Sequence, residues 1–294
     1  GIHSFKPGER VFSTALSSSY LLGNMNFPIE SDGKGGLYIV SDNALLRYNF
    51  RNEQFESLVK SGVRSIFIHK AKGDVWVGIS DSICRWNSAK HKPELLMNIK
   101  GETIQKIFVD SRNYLWIGTW NGLYCSTDRK HFKRVIAREN IIQLYEDSKS
   151  NLWVATLQNG LFKLNRHNEI QKYMHIPGNI NSLADDQVRD FVEDNKGNLW
   201  IGTFAGLNCY NQHKGTFTLY RQDSKPGSLF HSSIFSLYKD RQGSIWVGTY
   251  YGGVHFFNPE ADIFTPYSSA PERKDCLSFP FVGKMVEDSA HNLW

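Results

Sequence analysis

Asn198-Leu199-Trp200-Ile201-Gly202-Thr203 is a phrase that this chain repeats. Ser244-Ile245-Trp246-Val247-Gly248-Thr249 and Tyr114-Leu115-Trp116-Ile117-Gly118-Thr119 are further clear copies. Asn151-Leu152-Trp153-Val154-Ala155-Thr156 and Asp74-Val75-Trp76-Val77-Gly78 are close variants. Gly36-Leu37-Tyr38-Ile39-Val40 is a worn copy, and Asn292-Leu293-Trp294 begins another at the end of the sequence. The anchor aromatics stand at 38, 76, 116, 153, 200, 246 and 294, in steps of 38, 40, 37, 47, 46 and 48 residues. A propeller blade of four short strands takes about 40–50 residues, so the period predicts an all-β propeller.

The copy around Trp200 shows how a repeat becomes a blade. Strands are expected at Val188–Val192, Leu199–Thr203, Leu207–Asn211 and Thr216–Tyr220, joined by tight hairpins. The cluster Glu193-Asp194-Asn195-Lys196-Gly197-Asn198 is the first turn, with Gly197 at a positive φ. An Asp lies six residues before the anchor in six of seven copies: Asp32, Asp110, Asp147, Asp194, Asp240 and Asp288, with Lys70 the exception. Gly35, Gly73, Gly197 and Gly243 lie three residues before it. These carboxylates read as turn anchors that accept backbone amides, and a ring would spread them too far apart for paired-carboxylate catalysis. The tryptophans read as sheet-packing residues.

The termini complete the count. Gly1 to Phe5 reads as a third strand and Val11-Phe12 as a fourth; Phe281 to Val286 reads as a first strand and Asn292 to Trp294 as the start of a second. The expectation is one seven-bladed propeller over residues 1–294, with four-stranded antiparallel blades. Residues 1–12 and 279–294 share the closing blade, and six complete blades lie between. The chain opens and stops inside repeats and is expected to be a piece of a longer protein.

Bulk chemistry narrows the function. The net charge is +5 with scattered Lys and Arg, which favours an anionic ligand slightly and gives no tract for nucleic acid. No apolar run is long enough to span a bilayer. The four cysteines lack metal-ligand spacing, and Cys84, Cys125 and Cys209 recur at one strand position as small apolar thiols. No metal site, cofactor site or catalytic residue is expected: the chain has no nucleophile elbow and no His-Glu-x-x-His. Its Asp-x-x-Gly-x-x-Trp turn is one residue longer than a sialidase Asp-box.

The stretch Asp194 to Leu207, Asp-x-x-Gly-Asn-Leu-Trp-Ile-Gly-Thr-x-x-Gly-Leu, resembles the two-component-regulator propeller repeat, and the resemblance runs over nearly the whole chain. It implies the periplasmic sensor region of a hybrid two-component system of the kind common in gut Bacteroidetes. Such sensors read oligosaccharides released from glycans. The partners implied are an oligosaccharide ligand, a neighbouring propeller and the downstream domains of the parent, with homodimerisation through the parent as a further option. A histidine kinase would belong to that parent and is absent from this chain.

The loops between strands two and three and between strand four and the next blade are expected on one face, around the channel mouth. There Trp120, Asn121, Gln158, Phe204, Tyr250 and Tyr251 offer aromatic planes and amides suited to sugars. Arg189 and Lys284 in first strands, and His231 just before one, offer cationic groups for a uronic acid or sulfate. Three longer blade-to-blade loops, ending in Ser182-Leu183, Ser228-Leu229 and Cys276-Leu277, would form a wall at the mouth. A protein-interaction scaffold and a propeller glycosidase or lyase are the alternatives.

Overall fold

The computed structural model describes residues 2–6, 11–16, 28–32, 36–69, 73–258, 262–269, 276–277, 279–288 and 290–294. Gly35, Lys70 and residues 271–275 of the third long loop lie outside these. The described residues form strands and turns with no helix. Six four-stranded antiparallel sheets, over residues 29–59, 63–98, 104–137, 141–173, 188–220 and 234–267, follow chain order from edge to edge, as propeller blades do. A seventh sheet is partial, with two strands, Ile2–Lys6 and Val11–Leu16. The chain divides into two compact units, Ser19–Glu146 and Gly1–Ser18 with Asp147–Trp294.

The sheet around Trp200 has strands Val188–Glu193, Asn198–Thr203, Leu207–Asn211 and Thr216–Tyr220, within one residue of the sequence expectation. Each residue of the repeated phrase has a physical task. The Asp takes the indole N–H of its own anchor on one carboxylate oxygen: Asp110 to Trp116 at 3.0 Å, Asp147 to Trp153 at 2.8 Å, Asp194 to Trp200 at 2.9 Å, Asp240 to Trp246 at 2.8 Å and Asp288 to Trp294 at 2.7 Å. The other oxygen takes two turn amides, as Asp194 does from Lys196 and Asn198. The residue three before the anchor is left-handed whether or not it is glycine: φ is +77° at Gly197 and +89° at Gly243, and also +65° at Asn113, +59° at Ser150 and +66° at His291. Asn tolerates that region best of the substitutes, and the Asp-held turn imposes it on Ser and His too.

The anchors pack forward. Trp76 lies among Ile104, Ile107, Leu115 and Ile117 of the following sheet, and Trp200 among Leu237, Ile245, Val247 and Phe257. The small residue after the aliphatic lets the next sheet approach. A Cβ on Gly118 would stand 2.6 Å from Ile141 Cγ2, and one on Gly202 would stand 2.7 Å from Ile234 Cγ2. The closing threonine donates to the glycine carbonyl of the next hairpin, at 2.8 Å for Thr203 to Gly206 and 2.9 Å for Thr249 to Gly253. A second carboxylate, just before the Asp, reaches back to the preceding sheet. Glu146 accepts from Ser111 N at 2.7 Å, Glu193 from Ser148 N at 2.7 Å and Glu287 from Arg241 N at 3.0 Å.

The terminal segments depart from expectation in one respect. Phe281–Val286 forms no strand; the pairing there is an isolated bridge from Glu287 to Leu293, with Val286 and Trp294 exchanging backbone hydrogen bonds of 2.9 and 2.7 Å. At the start of this segment the backbone bonds to the preceding sheet: Val282 N donates to Thr249 O at 3.1 Å, and Pro280 O accepts from Gly253 N at 2.8 Å. Lys284 lies outside any strand. Phe5 and Leu293 exchange two backbone hydrogen bonds, of 2.7 and 2.9 Å. Phe5 and Phe12 pack with Trp246, Val282 and Leu293, the place a following sheet takes beside the other anchors. Cys84, Cys125 and Cys209 are free thiols.

Asp147 is 4% exposed and accepts from two backbone amides, its Asn151 side chain and Trp153. Asp147→Ala strands these donors and is expected to cost about 3 kcal/mol, read as a lower urea midpoint. Asp32→Ala is expected to cost less, because its anchor is a tyrosine without an indole N–H.

Candidate functional site

Four first strands carry a β-bulge at their second residue, so that Arg64, Gln105, Arg189 and Phe235 drop out of the ladder register. A bulge re-aims the side chain it carries. In the larger unit this sends the Arg189 guanidinium between two rings, 5.2 Å from the centroid of Phe204 and 4.6 Å from that of Phe235. Its Nη1 donates to Ser233 Oγ at 3.0 Å. Burial pulls the Arg189 pKa down, while Asp185 and Tyr250 act against this, and guanidinium stays charged.

The aromatic surface continues from Phe235. Tyr250 lies nearly parallel to Phe235 at 6.2 Å, with an interplanar angle of 25°, and Phe281 meets Phe235 edge-on at 4.7 Å. Tyr251 stands 4.4 Å from Tyr250, and His231 lies 6.3 and 6.2 Å from the two tyrosines. His231 Nδ1 accepts from Ser233 N at 3.0 Å, which fixes its ring. Phe204 is 49% exposed and Tyr251 54%. The shelf thus presents two open rings beside a held guanidinium.

Tyr251 also borders a cleft of about 500 Å³. Gln222, Asp223, Ser268 and Ser269 give it polar atoms, and Phe230 faces it with Tyr251. Leu229 and Pro280 are its apolar members. The long loop ahead of this cleft is tied as its sequence suggests: Ser228 Oγ donates to backbone carbonyls of its own turn and Leu229 is buried. Ser182 and Leu183 do the same one blade earlier. His255, fully buried in the third strand of its sheet, accepts the Phe230 backbone N–H on Nε2 at 3.0 Å. Burial lowers its pKa to about 4, so it is neutral with its proton on Nδ1.

The remaining candidates divide. Lys284 pairs with the buried carboxylate of Asp190 at 2.7 Å, and Asp190 also accepts from Leu237 N at 3.0 Å. Gln158 is exposed in its turn. In the smaller unit Trp120 is 53% exposed, with the Arg64 guanidinium 5.2 Å from its ring. Asn121 Nδ2 reaches Glu102 at 3.4 Å, in a network that includes Tyr124 Oη at 2.7 Å and Arg134 Nη2 at 3.0 Å. Burial opposes ionisation of Glu102, yet these donors hold its pKa below the ordinary carboxylate value. The structure brings Arg189, Phe204, His231, Tyr250 and Tyr251 together. Phe235, Phe281, Phe230 and Asp223 escaped the sequence reading. The bulge position, the second residue of each first strand, was the signal for Phe235. Among the described residues no group of three His, Cys, Asp or Glu is placed to hold a metal ion, and no helix is long and apolar enough to cross a membrane.

Residues 98–121, 182–205 and 228–251 match the family model of the two component regulator propeller. No curated protein sequence matches the chain. Among solved structures it is similar to the extracellular domain of a hybrid two-component system from B. thetaiotaomicron, with 18% identity and a TM-score of 0.76 over 95% of this chain and 39% of that one. The chain therefore spans about two fifths of that structure's length. It is also similar to a streptogramin B lyase (12% identity, TM-score 0.69, covering 94% of this chain and 92% of that one). A virginiamycin B lyase from Staphylococcus aureus with quinupristin gives 14% identity and a TM-score of 0.65, covering 93% and 96%. At such identities the likeness is one of fold.

Two measurements follow from this geometry. Lys284→Met is expected to destabilise the chain by about 3 kcal/mol in urea unfolding, because it leaves the Asp190 carboxylate buried without its cation. For His255 the unfolded chain takes up a proton near pH 6.5 and the folded chain only near pH 4. Stability linked to this group is complete above pH 6.5 and falls with pH down to about 4, by about 3 kcal/mol at most. The difference between wild type and His255→Gln, measured across that range, isolates it.

Proposed function

We propose that this chain, whose segments 98–121, 182–205 and 228–251 are two-component-regulator propeller repeats, is a non-enzymatic recognition module of an extracytoplasmic sensor that binds glycan-derived oligosaccharides. The observation that carries this reading is the shelf of Arg189, Phe204, Tyr250 and Tyr251 beside the cleft of about 500 Å³. Sugar C–H faces stack on exposed rings, and the Gln and Ser groups of the cleft suit hydroxyls. A periplasmic location and a kinase-bearing parent go with the same reading, supported by the likeness to an extracellular sensor domain. Ligand binding would reach the parent through a differential affinity for two arrangements of its domains.

The lyase neighbours make an enzyme the natural competitor. Asp223 is the single carboxylate among the residues lining the cleft, so the cleft lacks the pair a glycosidase uses for hydrolysis; a lyase would cleave by elimination and is tested by the release assay below. The exposed rings of Phe204, Phe230, Tyr251 and Phe279 also suit a protein partner, which keeps the scaffold reading as the second one.

We further propose that the termini complete a seventh blade within the larger unit, ordered as residues 286–287, 293–294, Ile2–Lys6 and Val11–Leu16. The Phe5–Leu293 exchange and the Asp288–Trp294 hydrogen bond support it.

Calorimetric titration with a panel of neutral and acidic oligosaccharides tests the recognition role. Heat of binding is expected, with Tyr251→Ala weakening it at least about fivefold, the worth of a stacked ring. No response from the chain or from its parent ectodomain, alongside reducing ends released from any panel glycan, would favour the enzyme. Phe5→Ala is expected to lower the thermal midpoint by several degrees if the terminal blade closes, since it empties a buried aromatic site.

A further inference from the structure

The shelf and the cleft share Tyr251 but differ in charge. Asp223 is the one charged residue lining the cleft, and its carboxylate lies 3.6 Å from Lys225 Nζ at an exposed position. An anion placed in the cleft would face that carboxylate and meet no lining cation. A hydroxyl-bearing, uncharged ring would meet Gln222, Ser268 and Ser269 at its edges and Phe230 and Tyr251 at its faces. From Tyr251 the aromatic surface runs to Tyr250, Phe235 and the Arg189 guanidinium in steps of 4.4, 6.2 and 4.6 Å. Lys284 is engaged with Asp190, and Lys225 with Asp223 itself.

We propose that shelf and cleft are two halves of one site for an acidic oligosaccharide, with an uncharged sugar ring in the cleft and the carboxylate or sulfate of another residue paired with Arg189. The inference rests on the recognition role above and adds the ligand's charge and its direction across the surface. Arg189 is suited to this by geometry as well as charge. The rings of Phe204 and Phe235 hold its plane, and Ser233 fixes one corner, so little side-chain freedom is lost on binding a planar anion. A free monosaccharide cannot occupy both halves. A neutral oligosaccharide forfeits the guanidinium, whose charge-assisted hydrogen bonds are the strong ones of the site.

The test is calorimetry on the full chain with three probes of equal length: cellotetraose, an unsulfated chondroitin tetrasaccharide, in which glucuronate alternates with an uncharged ring, and a κ-carrageenan tetrasaccharide, in which galactose sulfate alternates with uncharged anhydrogalactose. At low salt at least one acidic probe is expected to bind about tenfold or more tightly than cellotetraose, and the comparison of the two acids identifies carboxylate or sulfate as the preferred group. Arg189→Gln is expected to remove that preference, bringing the acidic probes down to the affinity of cellotetraose. Ser269→Trp, which fills the cleft, is expected to weaken all three. Should Arg189→Gln fail to fold, Arg189→Lys keeps the charge, loses the paired donors and is expected to reduce the preference. Equal binding of neutral and acidic probes, or a preference that survives the loss of Arg189, overturns the two-part site and leaves the recognition role standing. Failure of every sugar, neutral or acidic, overturns the recognition role itself.

Discussion

In the sheets around Trp116, Trp153, Trp200 and Trp246 one carboxylate does two tasks. Its two oxygens join a tight turn to an indole six residues on, so the bend and the ring orientation are fixed together. With the ring held, its face can pack on the next sheet, and the glycine two residues later lets that sheet come close. The inner ends of the first strands, where Arg189 and Phe235 leave the ladder, are placed by this spacing. The Trp76 sheet shows the contrast. The residue six before the anchor is a lysine outside the described region, Trp76 Nε1 has no hydrogen-bond partner among the described residues, and the Arg129 guanidinium lies 5.3 Å from the ring instead.

Most of this scaffold was legible in the sequence because its parts are local. The Asp, the left-handed residue, the indole and the threonine lie within ten residues of one another, and their interactions repeat with the period. The glutamate before the aspartate was visible as a letter and opaque as a function, since its partner amide lies 35 to 46 residues away. Phe281–Val286 shows the same limit. The residues there, Phe, Val and Met among them, favour a strand, but propensity does not decide pairing, and the pairing described there is the bridge of Glu287 with Leu293.

The candidate site was legible in part. Turn aromatics such as Phe204 and Tyr251 stood out because nothing in the repeat required them. Phe235 did not, because it occupies a strand position where an aromatic ordinarily means core; only the bulge turns it toward Arg189. Lys284 looked like a binding cation from its position and proved to neutralise a buried aspartate, an assignment that depends on how chain segments far apart in sequence meet. His255 reads as an ordinary strand histidine, and its hold on the Phe230 amide becomes visible only in three dimensions.

Phe5 and Leu293 trade their backbone hydrogen bonds although they stand far apart in the sequence. Bringing two segments together over that separation costs chain entropy that no local hairpin has to meet, so this joint is expected to form after the sheets it connects. Until it forms, the ribbon of Ile2–Lys6 and Val11–Leu16 has an unpaired edge, open to strands of other chains. A partly folded chain would then be most prone to aggregate at the step that joins these two distant segments.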